Sequence, residues 1–239
     1  MDHGSTRLLI DAGLRAKEIA ERLSKIGVDP ATLDGIFISH EHHDHIEGAE
    51  PLAKKFGVPI YISPQALHHS PASLQELPLH PISADVPLQL GSLTITPFSI
   101  PHDSMDPLAF SLRAGSSHAC VVTDIGFISE NVRERINRAD LLVIESNHDI
   151  EMLRTGPYPW PLKQRVMSNF GHLSNEALAF FFSEYFEGTG RKVMLIHLSR
   201  QNNHPQIAYV SASRALEKKS KDTDVRLSLQ DEISDILEI

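Results

Sequence analysis

The stretch His40-Glu41-His42-His43-Asp44-His45 carries an H-x-H-x-D-H pattern. The preceding residues, 35–39, form an apolar run that predicts a short buried strand. Ligands that begin where a strand ends lie on a loop held by a rigid element, which favours a preorganised metal site. Imidazole and ionised carboxylate suit zinc, manganese or iron. The stretch therefore predicts one metal ion, or two that share ligands, in preference to a purification tag or a solvated loop.

Length and composition are those of an ordinary globular protein, with 239 residues, 41% of them hydrophobic and 22% charged. That length allows one large domain or two small ones, and we expect a single domain over residues 1–239. The formal net charge of -9 provides no global basic field for nucleic acid. A polyanionic substrate would therefore depend on bound metal and on local Lys and Arg side chains.

The single cysteine, Cys120, excludes an internal disulfide framework and is expected to be a small core residue. No apolar stretch approaches the ~18 residues that span a bilayer. Residues 1–14 lack the basic start and apolar centre of a signal peptide. We therefore expect a cytoplasmic protein with no membrane partner and no obligate protein partner.

Apolar periodicity predicts alternating strands and helices at both ends of the chain, with antiparallel strands at 93–96, 108–112 and 119–122. Further strands are expected at 7–10, 35–39, 59–62, 141–144, 193–196 and 225–229. Helices are expected at about 15–26, 46–56, 131–137, 175–185 and 206–218, and residues 148–170 should be the least regular part. Two half-sheets with helices outside predict a four-layer αβ/βα sandwich or, failing that, a three-layer α/β domain.

Further polar residues follow predicted strands, namely His102, Asp124, Glu145 and His197. A core has little use for a polar side chain at so many strand ends, because each would need a buried partner. A metal cluster supplies that partner, and an Asp carboxylate can bridge two cations. Taken singly, each residue could equally be a structural histidine or a capping acid.

Together with the H-x-H-x-D-H loop, these residues resemble the metallo-β-lactamase-fold hydrolases in spacing and in strand context, over essentially the whole chain. Segments 38–48, 145–149, 171–176 and 197–203 resemble the YycJ/WalJ branch of that superfamily, whose members are regarded as DNA-processing nucleases. Members of the branch normally begin with a strand before the segment that corresponds to residues 7–11. This sequence starts almost at that segment, so the first strand is expected to be missing or replaced by another segment. Asp11 matches a position that supports the metals without ligating them.

The resemblance implies two divalent ions, Zn, Mn or Fe. One would be held by His40, His42 and His102, and the second by Asp44, His45 and His197, with Asp124 between them. Similarity to the tRNA-3′-processing members implies that His172 is the general acid and that Glu145 orients it. A histidine that merely precedes a helix is the alternative for His172.

The branch resemblance implies a DNA end as substrate, attacked exonucleolytically, with a role in DNA processing or repair. Candidate substrate contacts near the predicted site loops are His148, Arg154, Lys163, Arg165 and Arg200. Tyr158 and Trp160 could stack on bases or pack under a Pro-rich loop. Two other functions stay open: a small-molecule hydrolase, such as a cyclic phosphodiesterase, thioesterase or lactonase, and a non-hydrolytic redox or regulatory module, which the lack of a flavin or rubredoxin segment disfavours.

Overall fold

The computed structural model describes residues 1–187, 191–219 and 222–239. The chain divides into two compact units, which we call unit 1 and unit 2. Unit 1 comprises Met1–Ser99 and Ser104–Ala114, and unit 2 comprises Ile100–Asp103 and Gly115–Ile239.

Unit 1 contains a five-stranded sheet in the order β1-β2-β3-β4-β5. Its strands are β1 Asp2–His3, β2 Thr6–Ile10, β3 Gly35–Phe37, β4 Ile60–Ile62 and β5 Leu79–Pro81. Strands β2 to β5 are parallel, whereas β1 pairs antiparallel with β2. The short β1 therefore lies along the edge of β2, where the sequence predicts an N-terminal strand to be missing or replaced.

Short helices cover the strands of unit 1 and enclose an aliphatic core. The helices are α1 Ala16–Lys25, a 3₁₀ turn Pro30–Thr32, α2 His43–Ile46, α3 Ala49–Phe56, α4 Pro64–His68 and α5 Ala72–Gln75. Ile36, Ile38 and Ile60 of the strands are at most 1% exposed and pack in one cluster with Leu52 of α3. The single helix predicted at 46–56 is thus two helices, separated at residues 47–48.

Three antiparallel strands complete unit 1: β6 Leu88–Leu90, β7 Leu93–Ser99 and β8 Leu108–Ala114. Gly91, with a φ of 53°, makes the tight turn between β6 and β7. The predicted strands at 93–96 and 108–112 are present and antiparallel, and both extend further than their apolar runs.

Unit 2 contains four parallel strands, β9 Ser117–Val122, β10 Leu141–Glu145, β11 Lys192–Ile196 and β12 Asp224–Leu227, in the order β12-β11-β10-β9. Its helices are α6 Glu130–Ile136, α7 Ile150–Thr155, α8 Trp160–Val166, α9 Asn175–Glu184 and α10 Pro205–Glu217. Because parallel strands end at one edge of a sheet, the residues that follow β9, β10 and β11 come together there.

Strand β9 pairs parallel with β10, because the chain crosses over through α6 before it returns to the sheet. One expectation for unit 2 was wrong, since residues 148–170 hold α7 and α8 and are not irregular. The side chain of Asp149 caps α7 by accepting from the Met152 N–H. Pro159 is the N-cap residue of α8, and Pro161 lies in its first turn, where proline is tolerated.

Cys120 is fully buried in β9, as the sequence predicts. Its sulfur lies 3.4 Å from the His118 Nε2. Within the described ranges, no helix has the length and apolar character needed to cross a bilayer.

Candidate metal centre

The ligand loop of unit 1, residues 40–45, follows β3 and includes the first three residues of α2. It is held in place by the chain that follows β2. The Ala12 N–H donates to the His45 carbonyl at 2.8 Å, and the Gly48 N–H donates to the Ala12 carbonyl at 2.7 Å. Gly13 leaves no room for a side chain, because a Cβ there would lie 1.6 Å from the Asp44 carbonyl oxygen. Backbone contacts of the chain after β2 thus fix the position of the loop.

Asp11 orients the buried histidines of this loop. Its Oδ1 accepts from the Ser39 N–H at 2.7 Å, and its Oδ2 accepts from the His45 Nδ1 at 2.8 Å. The Ser39 hydroxyl donates to the same Oδ2 and lies 2.9 Å from the His40 Nδ1. A carboxylate that accepts a hydrogen bond from one imidazole nitrogen leaves the other nitrogen available to a metal. Histidine ligands of metal ions commonly have such a carboxylate partner.

The predicted ligands of unit 1 differ in exposure. His40 and His45 are buried, and the His40 Nε2 lies 3.0 Å from the His42 Nδ1. The Asp44 side chain is 69% exposed, with its Oδ2 3.9 Å from the His45 Nε2. His43 occupies a variable position of the H-x-H-x-D-H pattern. Its side chain is 80% exposed, and its Nε2 lies 3.7 Å from the Glu47 Oε2, away from the predicted ligands of unit 1.

Three residues of unit 2 lie at the carboxyl ends of its parallel strands, at one edge of its sheet. Asp124 follows β9, Glu145 ends β10, and His197 follows β11. Asp124 and His197 have positive φ values of 50° and 56°, a strained backbone for residues other than glycine. Such strain is typical of functional sites, and here it turns the two side chains into a common cluster.

Glu145 is the centre of this cluster and is completely buried. Its Oε1 accepts from the His172 Nδ1 at 2.8 Å and from the His197 Nδ1 at 2.7 Å. Its Oε2 accepts from the N–H groups of Ile125 and Leu173 at 2.9 and 3.1 Å. One carboxylate therefore orients two imidazoles and fixes two neighbouring loops.

Asp124 lies beside the same imidazoles. Its Oδ1 is 3.5 Å from the His172 Nδ1, 3.6 Å from the His197 Nδ1 and 3.8 Å from the His102 Nε2. Ligand atoms of four residues lie within 4.8 Å of one another: Asp124, Glu145, His172 and His197. Two buried carboxylates so close together favour a compensating cation, and imidazole and carboxylate are suitable donors, so the cluster fits a divalent metal ion.

Burial and charge act in opposite directions on the groups of this cluster. Burial alone would raise the pKa of the Glu145 carboxyl, but the charge of His172 and hydrogen bonds from both imidazoles lower it to about 2. Burial would likewise lower the pKa of His172, but Glu145 outweighs it and the pKa is raised. For His102 burial prevails, and its pKa is lowered. The His102 Nδ1 donates to the Gly171 carbonyl at 3.1 Å.

A pocket of ≈ 380 Å³ opens beside this cluster, and all its lining residues belong to unit 2. His172 and His197 form part of the lining, together with the predicted contacts Arg165 and Arg200. Tyr158 lines it as well, whereas Trp160 does not and is 60% exposed on α8. Two of the predicted substrate contacts therefore lie beside the candidate metal ligands.

The other predicted contacts are placed differently. The Lys163 side chain is buried, and its Nζ donates to the carbonyls of Arg154 and Gly156 at 2.7 and 2.8 Å, which does not fit a phosphate contact. The Arg154 guanidinium is exposed, pairs with Glu151 at 2.9 Å and does not line the pocket. His148 is buried, its Nδ1 has no hydrogen-bond partner among the described residues, and burial lowers its pKa to about 4.

Sequence reasoning missed several residues of this region. Asp103 directly follows His102 and bonds to Arg165, so its position in the sequence could have identified it. Gln201 directly follows Arg200 and lines the pocket. Gln230 also lines the pocket, but it lies in the segment after β12, and no local signal marks it.

Comparison with known proteins places this geometry in a family. Residues 6–198 match the model of the β-lactamase superfamily domain. The exodeoxyribonuclease YycJ of Bacillus anthracis is 32% identical over 216 residues, or 89% of this chain and 82% of that protein. The exodeoxyribonuclease WalJ of Streptococcus pneumoniae serotype 2 (strain D39) is 34% identical over 216 residues, or 88% and 80%. The crystal structure of Zn²⁺-bound PqqB from Methylobacterium extorquens has a TM-score of 0.71 at 15% identity, over 99% of this chain and 86% of that one, which shows a common fold.

These similarities confirm the predicted mixed α/β fold with two sheets. They also agree with the family that the H-x-H-x-D-H loop and the strand-end residues indicate. The chain therefore belongs to the metallo-β-lactamase superfamily of hydrolases, in the branch of the YycJ and WalJ exodeoxyribonucleases.

Proposed function

We propose that the protein is a dinuclear metal-dependent phosphodiesterase that removes nucleotides from DNA ends. The exodeoxyribonuclease relatives support this activity. The observation that carries it is the pocket of unit 2, where His172 and His197 share a lining with Arg165 and Arg200. Guanidinium groups beside candidate metal ligands suit an anionic phosphodiester better than a neutral acyl substrate.

We assign the ligands of both units to two divalent ions, following the resemblance in sequence. By that resemblance, His40, His42 and His102 would hold one ion and Asp44, His45 and His197 would hold the other, with Asp124 contributing between them. Such ions, when bound, lower the pKa of a coordinated water and offset the negative charge that develops on the phosphate. Zinc, manganese and iron all accept this set of donors.

The remaining steps belong to side chains of unit 2. The Thr123 hydroxyl donates to the Asp124 Oδ2 at 2.6 Å, which fixes the carboxylate that positions the attacking water. Glu145 accepts from the His172 Nδ1, so the His172 Nε2 is the atom that gives its proton to the leaving oxygen. Arg165 and Arg200 hold the phosphate in the pocket and orient it for attack.

A small-molecule hydrolase on the same ligands is the second candidate. The pocket volume of ≈ 380 Å³ favours it, because that is near the lower end of the ~300–1,000 Å³ range of small-ligand pockets. The formal net charge of -9 also favours it, since nothing in the overall charge attracts a long polyanion.

A substrate panel separates the two candidates. Duplex and single-stranded DNA labelled at the 5′ or 3′ end, RNA, bis-p-nitrophenyl phosphate, a cyclic nucleotide, a lactone and a thioester are each incubated with the Mn²⁺- and the Zn²⁺-loaded protein. We expect mononucleotides to be released from one end of the DNA. Turnover of the thioester, lactone or cyclic nucleotide without any DNA degradation would favour the second candidate.

Variants of the proposed ligands test the metal assignment. Asp44→Ala and Asp124→Ala should each abolish turnover, while the circular dichroism spectrum stays that of the native fold. Metal content measured by mass spectrometry should fall from about two ions per chain in both variants. Glu134→Ala, at an exposed position of α6, is the control and should change neither quantity. Full activity of both Asp variants would refute the assignment.

A further inference from the structure

Besides His172 and His197, the pocket of unit 2 is lined by Arg200, Gln201 and Gln230 and by the half-buried ring of Tyr158. Cationic, amide and aromatic side chains together are the groups that bind the phosphate and the base of a nucleotide. The volume of ≈ 380 Å³ lies within the ~300–1,000 Å³ range of small-ligand pockets and suits one nucleotide.

The two arginines of the pocket are held differently. Arg165 bonds to both carboxylate oxygens of Asp103, through Nε and through Nη2 at 3.1 Å, and the Asp103 side chain is only 27% exposed. Arg200 makes one contact with a carboxylate, from Nη2 to the Asp231 Oδ1 at 2.7 Å, while its Nε donates to the neutral Gln230. Arg165 is thus anchored by two hydrogen bonds to one carboxylate, whereas Asp231 is the one charged partner of Arg200 among the residues that the structure describes.

That charged partner is easily displaced. The side chains of Arg200 and Asp231 are 63% and 79% exposed, and an ion pair between two such exposed side chains contributes little stability. A phosphate offers the guanidinium two parallel hydrogen bonds and a larger negative charge. An incoming phosphate can therefore replace the Asp231 carboxylate at Arg200.

The segment that carries Asp231 is fixed against the pocket from the other side. The Gln230 side-chain amide donates to the Leu198 carbonyl at 3.0 Å, one residue beyond His197. Asp231 therefore remains next to the pocket after its carboxylate is displaced. Its charge disfavours a second anion there, and it returns to Arg200 when the nucleotide leaves.

We propose that this pocket is a subsite for one nucleoside monophosphate unit, in which Arg200 binds the phosphate, Tyr158 stacks on the base and Asp231 occupies Arg200 when the subsite is empty. The identification of that unit with the terminal nucleotide of a DNA strand rests on the proposed function. The subsite itself rests on the lining of the pocket and on the exposed Arg200–Asp231 pair.

Equilibrium binding of thymidine 5′-monophosphate, thymidine 3′-monophosphate and thymidine to the full-length metal-loaded protein tests the subsite by isothermal titration calorimetry. We expect one of the two monophosphates to bind and thymidine to bind at least about tenfold more weakly. Arg200→Ala should weaken binding of the monophosphate by about tenfold, because a charged hydrogen bond is lost. Asp231→Asn should strengthen it by about two- to fivefold, because the competing ion pair is removed.

Arg226 and Asp235 provide the matched control, since they form another exposed Arg–Asp pair at 3.5 Å and neither lines the pocket. Arg226→Ala removes one positive charge, as Arg200→Ala does, and Asp235→Asn removes one negative charge, as Asp231→Asn does. Both control variants should leave the affinity for the monophosphate unchanged. If the variants of both pairs changed the affinity for the monophosphate equally, the effect would come from net charge alone, and the subsite would be refuted. An unchanged affinity of Arg200→Ala would overturn it as well, since Arg200 would then not bind the phosphate.

Hydrolysis of labelled DNA, measured on the same preparations, keeps the two proposals apart. Arg200-dependent binding of a monophosphate without DNA hydrolysis would support the subsite and refute the exonuclease. DNA hydrolysis together with Arg200-independent binding would support the exonuclease and refute the subsite.

Discussion

The two units assemble their candidate ligands in opposite ways. Unit 1 carries four of them within residues 40–45, on one loop that follows β3. Unit 2 brings its members from separate strand ends and loops, from His102 to His197, over nearly a hundred residues of chain. In both units a carboxylate outside the proposed ligand set holds the histidines, Asp11 in unit 1 and Glu145 in unit 2.

The difference shows how each unit fixes the geometry of its own candidate ligands. In unit 1 the candidate ligands are contiguous, so one set of backbone contacts is enough to fix them. The segment 11–13 makes these contacts with the loop. In unit 2, the geometry depends on the register of parallel strands and on one buried carboxylate that joins loops distant in sequence. Substitutions at the candidate site of unit 2 should therefore lower the free energy of unfolding, whereas those in unit 1 should mainly weaken metal binding.

Removal of the Glu145 carboxylate should have the largest effect. In Glu145→Ala the buried N–H groups of Ile125 and Leu173 lose their acceptor, and each such group costs ~1–3 kcal/mol. We expect the free energy of unfolding to fall by at least about 2 kcal/mol in urea titrations with EDTA present. Glu151→Ala, at an exposed position of α7, should lower it by less than about 0.5 kcal/mol. Equal stability of the two variants would contradict the central role of Glu145.

A methyl group at Gly13 should displace the ligand loop of unit 1. The Cβ of Gly13→Ala would lie 1.6 Å from the Asp44 carbonyl oxygen, so the backbone that carries Asp44 must move. We expect a stability loss of ~1–3 kcal/mol and a larger proportional loss of bound metal, read by mass spectrometry. The comparison variant is Gly27→Ala, where the Cβ meets no atom within 4 Å and the cost is confined to its φ of 75°. A native metal content in Gly13→Ala would show that the loop tolerates the shift.

Asp11→Asn should separate metal affinity from stability. An asparagine still accepts from the Ser39 N–H, but its amide can donate to the His45 Nδ1, which places the histidine proton on Nε2. We expect metal affinity to fall by ~10- to 100-fold, measured by competition with a chelator, with little change in the unfolding midpoint of the metal-free protein. Asp34→Asn, which keeps an acceptor near the Arg7 N–H, is the control in the same unit. An affinity equal to that of the native protein would exclude Asp11 from orienting His45.

The contrast between the units also explains what the sequence could predict. The loop at 40–45 was recognisable because its residues are adjacent and follow a short apolar strand. Asp124 and His197 were individually ambiguous, and only their shared position at strand ends, with the resemblance to a family, brought them together. The burial of Lys163 and the position of Asp231 beside Arg200 depend on how α8 and the last segment pack, and neither leaves a periodic signal.

Glu50 provides the smallest test, on a carboxylate of α3 that is outside the ligand loop. Hydrogen bonds from Lys54 and from Ser73 lower its pKa from 4.5. Because the folded-state pKa is the lower one, the stability that Glu50 contributes is complete above the unfolded-state pKa and is lost as the pH falls through the folded-state value. The difference in thermal midpoint between the native protein and Glu50→Gln should therefore shrink between pH 6 and pH 4. Ser73→Ala, which removes one of the two hydrogen bonds, should lose part of the same pH-dependent difference. A difference that stayed constant with pH would show that Glu50 stabilises α3 and α5 by packing alone, and that the acid sensitivity of unit 1 comes from its ligand loop.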